Sequence, residues 1–70
     1  MKIIYDPEVD ALSIVFNETT VTTERLADGI AADYDTEGRL AAIEVLDAAA
    51  RLGGPGFLDE VTLHRTGAET

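Results

Sequence analysis

Residues 33–44 read DYDTEGRLAAIE, and the fold turns on whether this stretch wraps an ion between two helices or reverses between two strands. Acidic side chains stand at its first, third, fifth and twelfth places (Asp33, Asp35, Glu37 and Glu44) and glycine at its sixth, close to the spacing of a calcium-binding EF-hand loop. Gly38 supports the other reading. In DTEG, Asp35 takes the first position of a type I turn and Gly38 the fourth, where a left-handed residue completes a bulged hairpin. That register pairs Asp35 with Arg39 and Tyr34 with Leu40, and it sets Asp33 opposite Ala41. Glu44 then falls three residues farther along, roughly 10 Å away and through the opposite face of the sheet. Calcium ligands have to converge at about 2.3–2.6 Å, so the two arrangements exclude one another. A hairpin is expected, with a divalent-metal loop of Asp33, Asp35, Glu37 and Glu44 as the alternative.

Working outward, the preceding segment IAADYD and the following RLAAIEVL both read as strands. Asp28, Gly29 and Gly38 would serve a continuous helix poorly. Near the start, KIIYD is a short β-type run and ALSIVF alternates Leu12, Ile14 and Phe16 against Ala11, Ser13 and Val15. Between them Asp6 and Pro7 suit the first two positions of a turn, which makes the two runs a hairpin. VTTERLA reads as an edge strand because its threonines and charges do not look buried. Asp47 is placed to cap a short helix over residues 47–52, and Gly53 to end it. Gly53, Gly54, Pro55 and Gly56 form a chain reversal, and DEVTLHR reads as a last strand with Val61 and Leu63 on one face. The expected fold is α+β: a curled antiparallel sheet of five to six short strands with one short helix, a single domain over residues 1–66, and a frayed tail at 67–70.

Seventy residues permit one domain, and a chain of this size buries only roughly 60% of its unfolded surface. No cysteine is present to add a disulfide, so self-association, a dimer first, is the expected source of further stability. Five basic residues against fourteen acidic ones give a net charge of −9, with the basic residues scattered singly. This balance argues against nucleic acid or an anionic membrane as partner and is compatible with a basic protein or divalent cations. No apolar run approaches the roughly 20 residues of a membrane span, and the first ten residues lack the core of a signal peptide, so a cytoplasmic location is expected.

No catalytic constellation stands out. His64 has no serine or cysteine arrangement that would make it a triad base, and no second histidine for a familiar metal site. GGPG lacks the lysine and hydroxyl residue of a phosphate loop. Asp6, Glu8 and Asp10 read as turn chemistry, with weak cation binding as the lesser option. Ile43, Glu44 and Val45 are candidates for a subunit interface, and Glu44, set between the other two, is expected to be partly buried or to lie at that seam, with arginine as its best partner.

The blocks YDPEVDALSI and DGIAADYDTEGRLAAIEVLDAA, in that order, resemble the small bacterial family called domain of unknown function 2283. The matching positions are Tyr5, Asp6, Asp10, Ala11 and Leu12, then Gly29, Asp33, Tyr34, Asp35, Gly38, Ile43, Glu44, Leu46, Asp47 and Ala48. Ala42 stands where a glycine looks commoner in the family, a change that ordinary strand dihedrals tolerate. The resemblance implies a compact β-rich domain, no known cofactor and no catalytic residue. The leading expectation is thus a homo-oligomeric structural or protein-interaction module without catalytic activity. The alternatives are a divalent-metal-binding regulator or hydrolase using the 33–44 carboxylates, and an acidic antitoxin-like or accessory subunit for a basic protein.

Overall fold

Five strands and one helical turn follow each other along the chain in a computed structural model that describes residues 1–67. The strands are β1 (Lys2–Asp6), β2 (Ala11–Val15), β3 (Thr22–Ala27), β4 (Ile30–Tyr34) and β5 (Leu40–Leu46), and the helix is α1 (Ala48–Arg51). They form one antiparallel sheet in the order β1-β2-β5-β4-β3, so β5, the last strand made, lies at the centre. Two hairpins, β1–β2 and β3–β4, flank it. Central placement suits the LAAIEVL composition of β5, whose alanines accept neighbours closely on both sides. The TTERLA strand takes an edge and is exposed throughout, as its polarity required.

The turns follow from residue chemistry. At the β4–β5 corner the Asp35 N–H donates to the Arg39 carbonyl at 2.8 Å and Gly38 N–H to the Asp35 carbonyl at 3.0 Å, with Gly38 at φ +82°. At the β3–β4 corner Asp28 and Gly29 span the gap between paired Ala27 and Ile30. Between β1 and β2 the loop holds Pro7 to Asp10; Asp6 accepts the Glu8 N–H at 3.0 Å, and Asp10 adopts a left-handed φ of 54° that returns the chain into β2.

One feature of register overturns an expectation. Tyr34 does pair with Leu40, but Asp33 pairs with Ala42 instead of Ala41, because Ala41 is an extra residue in a bulge. The Ala41 carbonyl accepts from the N–H groups of both Phe16 (2.8 Å) and Asn17 (3.1 Å), which fixes the bulge against the end of β2. A one-residue shift exchanges the faces of everything beyond it. Glu44 therefore shares a face with Asp33, where opposite faces were expected, and Leu40 lies on the other face from Ala42, Glu44 and Leu46.

The sheet accordingly has an apolar face, with Ile3, Tyr5, Leu12, Ile14, Ile30, Ala32, Ile43 and Val45, and a mixed one, with Lys2, Ile4, Ser13, Val15, Arg25, Ala31, Asp33, Ala42 and Glu44. The C-terminal segment covers only part of the apolar face. Phe57 meets Tyr5 edge-to-face at a ring separation of 5.1 Å, and Ala48 is wholly buried. Asp47 precedes α1 as expected, but its φ of 53° is left-handed and its side chain makes no capping bond. The first helical N–H groups are satisfied from the β1–β2 turn instead: Ala48 N–H donates to the Asp10 carbonyl at 3.0 Å and Ala49 N–H to Asp10 Oδ1 at 2.9 Å. Gly53, at φ +106°, ends the helix, and Gly54 N–H reaches back to the Ala49 carbonyl.

The expected sixth strand is not formed. Residues 60–66 are irregular and exposed, so the described residues hold five strands. Val61 and Leu63 have the alternation of a strand but no neighbouring strand to pair with. Of the tail expected to fray, residues 68–70 lie outside the described residues.

Candidate functional site

Strand register gathers the chemistry-bearing side chains on the mixed face. Thr23 on β3 stands opposite Asp33 on β4, which stands opposite Ala42 on β5. One pair along, Glu44 stands between Ala31 on β4 and Ser13 on β2. Asp33 and Glu44 are thereby diagonal neighbours across two central strands. Asp33 is 8% exposed and accepts the Thr23 hydroxyl at 2.6 Å. Glu44 is half-buried.

The electrostatics follow. A hydrogen bond from the protonated Glu44 carboxyl to Asp33, then partial burial, then the Asp33 charge raise the Glu44 carboxyl above its ordinary range. Two carboxylates held as diagonal neighbours on a sheet repel one another when both are charged. The expected arginine partner is absent from the pair: Arg25 instead bonds Asp28 at 3.0 Å at the β3–β4 corner. Arg25 and Glu44, with Ala31 between them, border an open depression of about 340 Å³ that Ile30 and Leu46 also line. The small Ala31 side chain leaves this hollow.

The remaining members of the calcium-like spacing are used elsewhere. Asp35 Oδ1 accepts the N–H groups of Glu37 (2.9 Å) and Arg39 (2.8 Å), and Oδ2 accepts Arg39 Nε at 2.9 Å. These bonds, the Arg39 N–H foremost, hold its carboxyl below the ordinary aspartate range. Glu37 is exposed beside Arg39. The bulged hairpin thus separates Asp35 and Glu37 from the Asp33–Glu44 pair. Among the described residues no group of three or more His, Cys, Asp or Glu side chains is arranged around a common point.

The DPEVD carboxylates do not approach this pair. Asp10 serves the opposite face, accepting the Tyr5 hydroxyl at 2.7 Å as well as the Ala49 N–H, and this bond raises the Tyr5 phenol above its usual value. The residues expected at a seam, Ile43, Glu44 and Val45, alternate along the central strand, with Ile43 and Val45 on the apolar face and Glu44 on the other. One contact surface cannot hold all three. Sequence reasoning missed Thr23 and Ser13 as neighbours of the pair. Their only signal was polarity inside strand-like runs, which does not name a partner.

A family model described as protein of unknown function (DUF2283) matches residues 2–48. The chain belongs to this family. The DUF2283 match takes in all five strands and ends at the first residue of α1, so the Gly-rich reversal and the extended segment after it lie beyond it. No curated protein and no solved structure matches the chain. No helix among the described residues is long and apolar enough to cross a membrane.

Proposed function

We propose that this DUF2283 chain is a homo-oligomeric structural or protein-interaction module, a dimer first, without catalytic activity. The observation that carries the reading is the half-covered apolar face. Among the described residues the buried core consists of Leu12 and four alanines, with no large side chain fully buried, while Ile3, Phe16 and Leu40 are each 43% exposed. The molecule is a plate 35 × 34 × 19 Å with a radius of gyration of 13.7 Å, against about 11 Å for a compact chain of this length. A single sheet needs a second layer over its apolar face, and α1 with its following loop spans only one end of it. A second copy supplies that layer from the same sequence. Light scattering across a dilution series should give twice the chain mass at micromolar concentration; a stably folded monomer throughout would exclude the reading.

A second reading rests on the Asp33–Glu44 pair. Adjacent carboxylates that repel one another accept a divalent cation, with Thr23 and Ser13 as nearby oxygens. Calorimetric titration with calcium, magnesium and manganese tests it. Saturable binding that Asp33→Asn abolishes would support a metal-binding regulator, and no heat up to millimolar cation would remove it.

A further inference from the structure

Two unused features of the molecule fit one another. The first is the segment Glu60–Arg65. Its sequence, EVTLHR, has the alternation of a strand, yet the last backbone hydrogen bond before it is Asp59 N–H to the Gly56 carbonyl, and among the described residues its own backbone makes none. Val61 and Leu63 are 63% and 77% exposed. The second feature is the outer edge of β1, one of the two open edges of the sheet. The other edge, β3, is interrupted by a register shift between Arg25 and Ala27 and consists largely of polar residues, two devices that discourage pairing. β1 is regular and carries Ile3, Ile4 and Tyr5.

Charge selects the direction of pairing. Alignment side by side in the parallel sense sets Val61 beside Ile3 and Leu63 beside Tyr5, continuing the apolar face, with Glu60 beside Lys2 and His64 beside Asp6. The antiparallel alignment that sets Val61 and Leu63 against the same two residues, Val61 beside Tyr5 and Leu63 beside Ile3, places Glu60 against Asp6, a like-charge juxtaposition that is unfavourable in a sheet. The root of the segment is fixed near the Asp6 end of β1, because Phe57 packs on Tyr5. A run from that root along its own β1 is antiparallel, the unfavourable sense. A second copy presents its β1 in the other direction.

We infer that Glu60–Arg65 is an exchange arm that adds as a sixth, parallel strand to the β1 edge of a second copy of this chain, reciprocally in a dimer. The inference rests on the homo-oligomer reading and specifies its contact. Each arm satisfies the open edge of the other sheet and carries Val61 and Leu63 to the border of the uncovered apolar face, beside Ile3.

The test is analytical ultracentrifugation of full-length protein over a concentration series. The wild type should dimerise, and Val61→Asp with Leu63→Asp should give a folded monomer by circular dichroism. Glu60→Lys should raise the dimer dissociation constant about tenfold, since each of two symmetric arms turns an attractive cross-strand pair into a repulsive one. Lys2 also pairs with Glu18 of its own chain, so Lys2→Glu with Glu18→Lys, which keeps that pair reversed, added to Glu60→Lys should restore it. A dimer that withstands the double aspartate variant overturns the arm and leaves the oligomer reading standing. A Glu60→Lys variant that dimerises more tightly also overturns it, because that result demands pairing with Asp6. A wild type that stays monomeric ends both.

Discussion

Asp10→Ala should be among the most damaging single changes outside the buried core, and its cost can be assembled from the bonds it removes. Asp10 Oδ1 accepts the Tyr5 hydroxyl at 2.7 Å and the Ala49 N–H at 2.9 Å, tying β1, the β1–β2 turn and α1 together. Hydrogen bonds to a charged group contribute about 1.5–3 kcal/mol each; the site is only half-buried, so the low end applies and the two give about 3 kcal/mol. The left-handed φ of 54° adds about 1 kcal/mol for alanine, whose side chain cannot bond locally as aspartate does. The total, about 4 kcal/mol, compares with about 4–10 kcal/mol for a whole domain of this length. Asp10→Asn keeps the backbone preference and an acceptor oxygen and should cost about 1 kcal/mol. Asp10→Gly loses the bonds but not the conformation, so it should fall about 1 kcal/mol short of alanine. Urea unfolding followed by circular dichroism and tyrosine fluorescence, at one fixed protein concentration because association shifts the midpoint, measures all three. If asparagine proved as costly as alanine, or alanine cost under about 1 kcal/mol, the bridging role assigned to this carboxylate would be wrong.

Other perturbations test the rest of the construction. The Glu44 carboxyl is raised in the fold, so the folded state holds its proton more tightly than the unfolded chain; the stability this contributes is full below the ordinary carboxylate range and is lost as pH rises through the raised value. Glu44→Gln, which retains a donor toward Asp33, should therefore raise the melting temperature at pH 7 and leave it nearly unchanged near pH 3; a lower melting temperature at pH 7 would contradict the carboxylate pair. Asp35 behaves oppositely: its carboxyl is depressed, so its contribution is present above the ordinary aspartate range and is lost as pH falls through the lower folded value. Asp35→Asn should destabilise at pH 7, with the difference from wild type shrinking in acid, and a pH-independent difference would assign its role to packing. Gly38→Ala should cost about 1 kcal/mol from its φ of +82° alone, since nothing lies within 4 Å of an added methyl. Gly29→Ala should cost more, because the methyl would sit 2.8 Å from Arg51 Nη2 and disturb the bond from Arg51 Nε to the Leu46 carbonyl; in an Arg51→Ala background the excess should vanish, and strict additivity in chemical unfolding would argue against that contact.

Much of the architecture was readable because it is local. Gly38 and Asp35 specify the β4–β5 corner within five residues, and the two-residue period of ALSIV specifies both a strand and its buried side. The polarity of TTERLA put it at an edge for the same reason. The bulge at Ala41 was not readable, since alanine is compatible with either register and the choice is made by Phe16 and Asn17, just past the end of β2, donating to the Ala41 carbonyl. That one residue decided the site: it moved Glu44 from the far face to the side of Asp33. The capping of α1 by Asp10 was hidden in a similar way, because its donor at Ala49 lies 39 residues along the chain. EVTLHR shows the converse. Its alternation is that of a strand, but alternation states only that two faces differ, and pairing requires a neighbour whose edge and charges fit. The sequence by itself determined where the chain turns and which runs extend, because φ preferences and side-chain period act over a few residues. Only the tertiary structure decided which carboxylates meet and which strand stays unpaired, because both depend on hydrogen bonds between segments that the chain brings together from far apart.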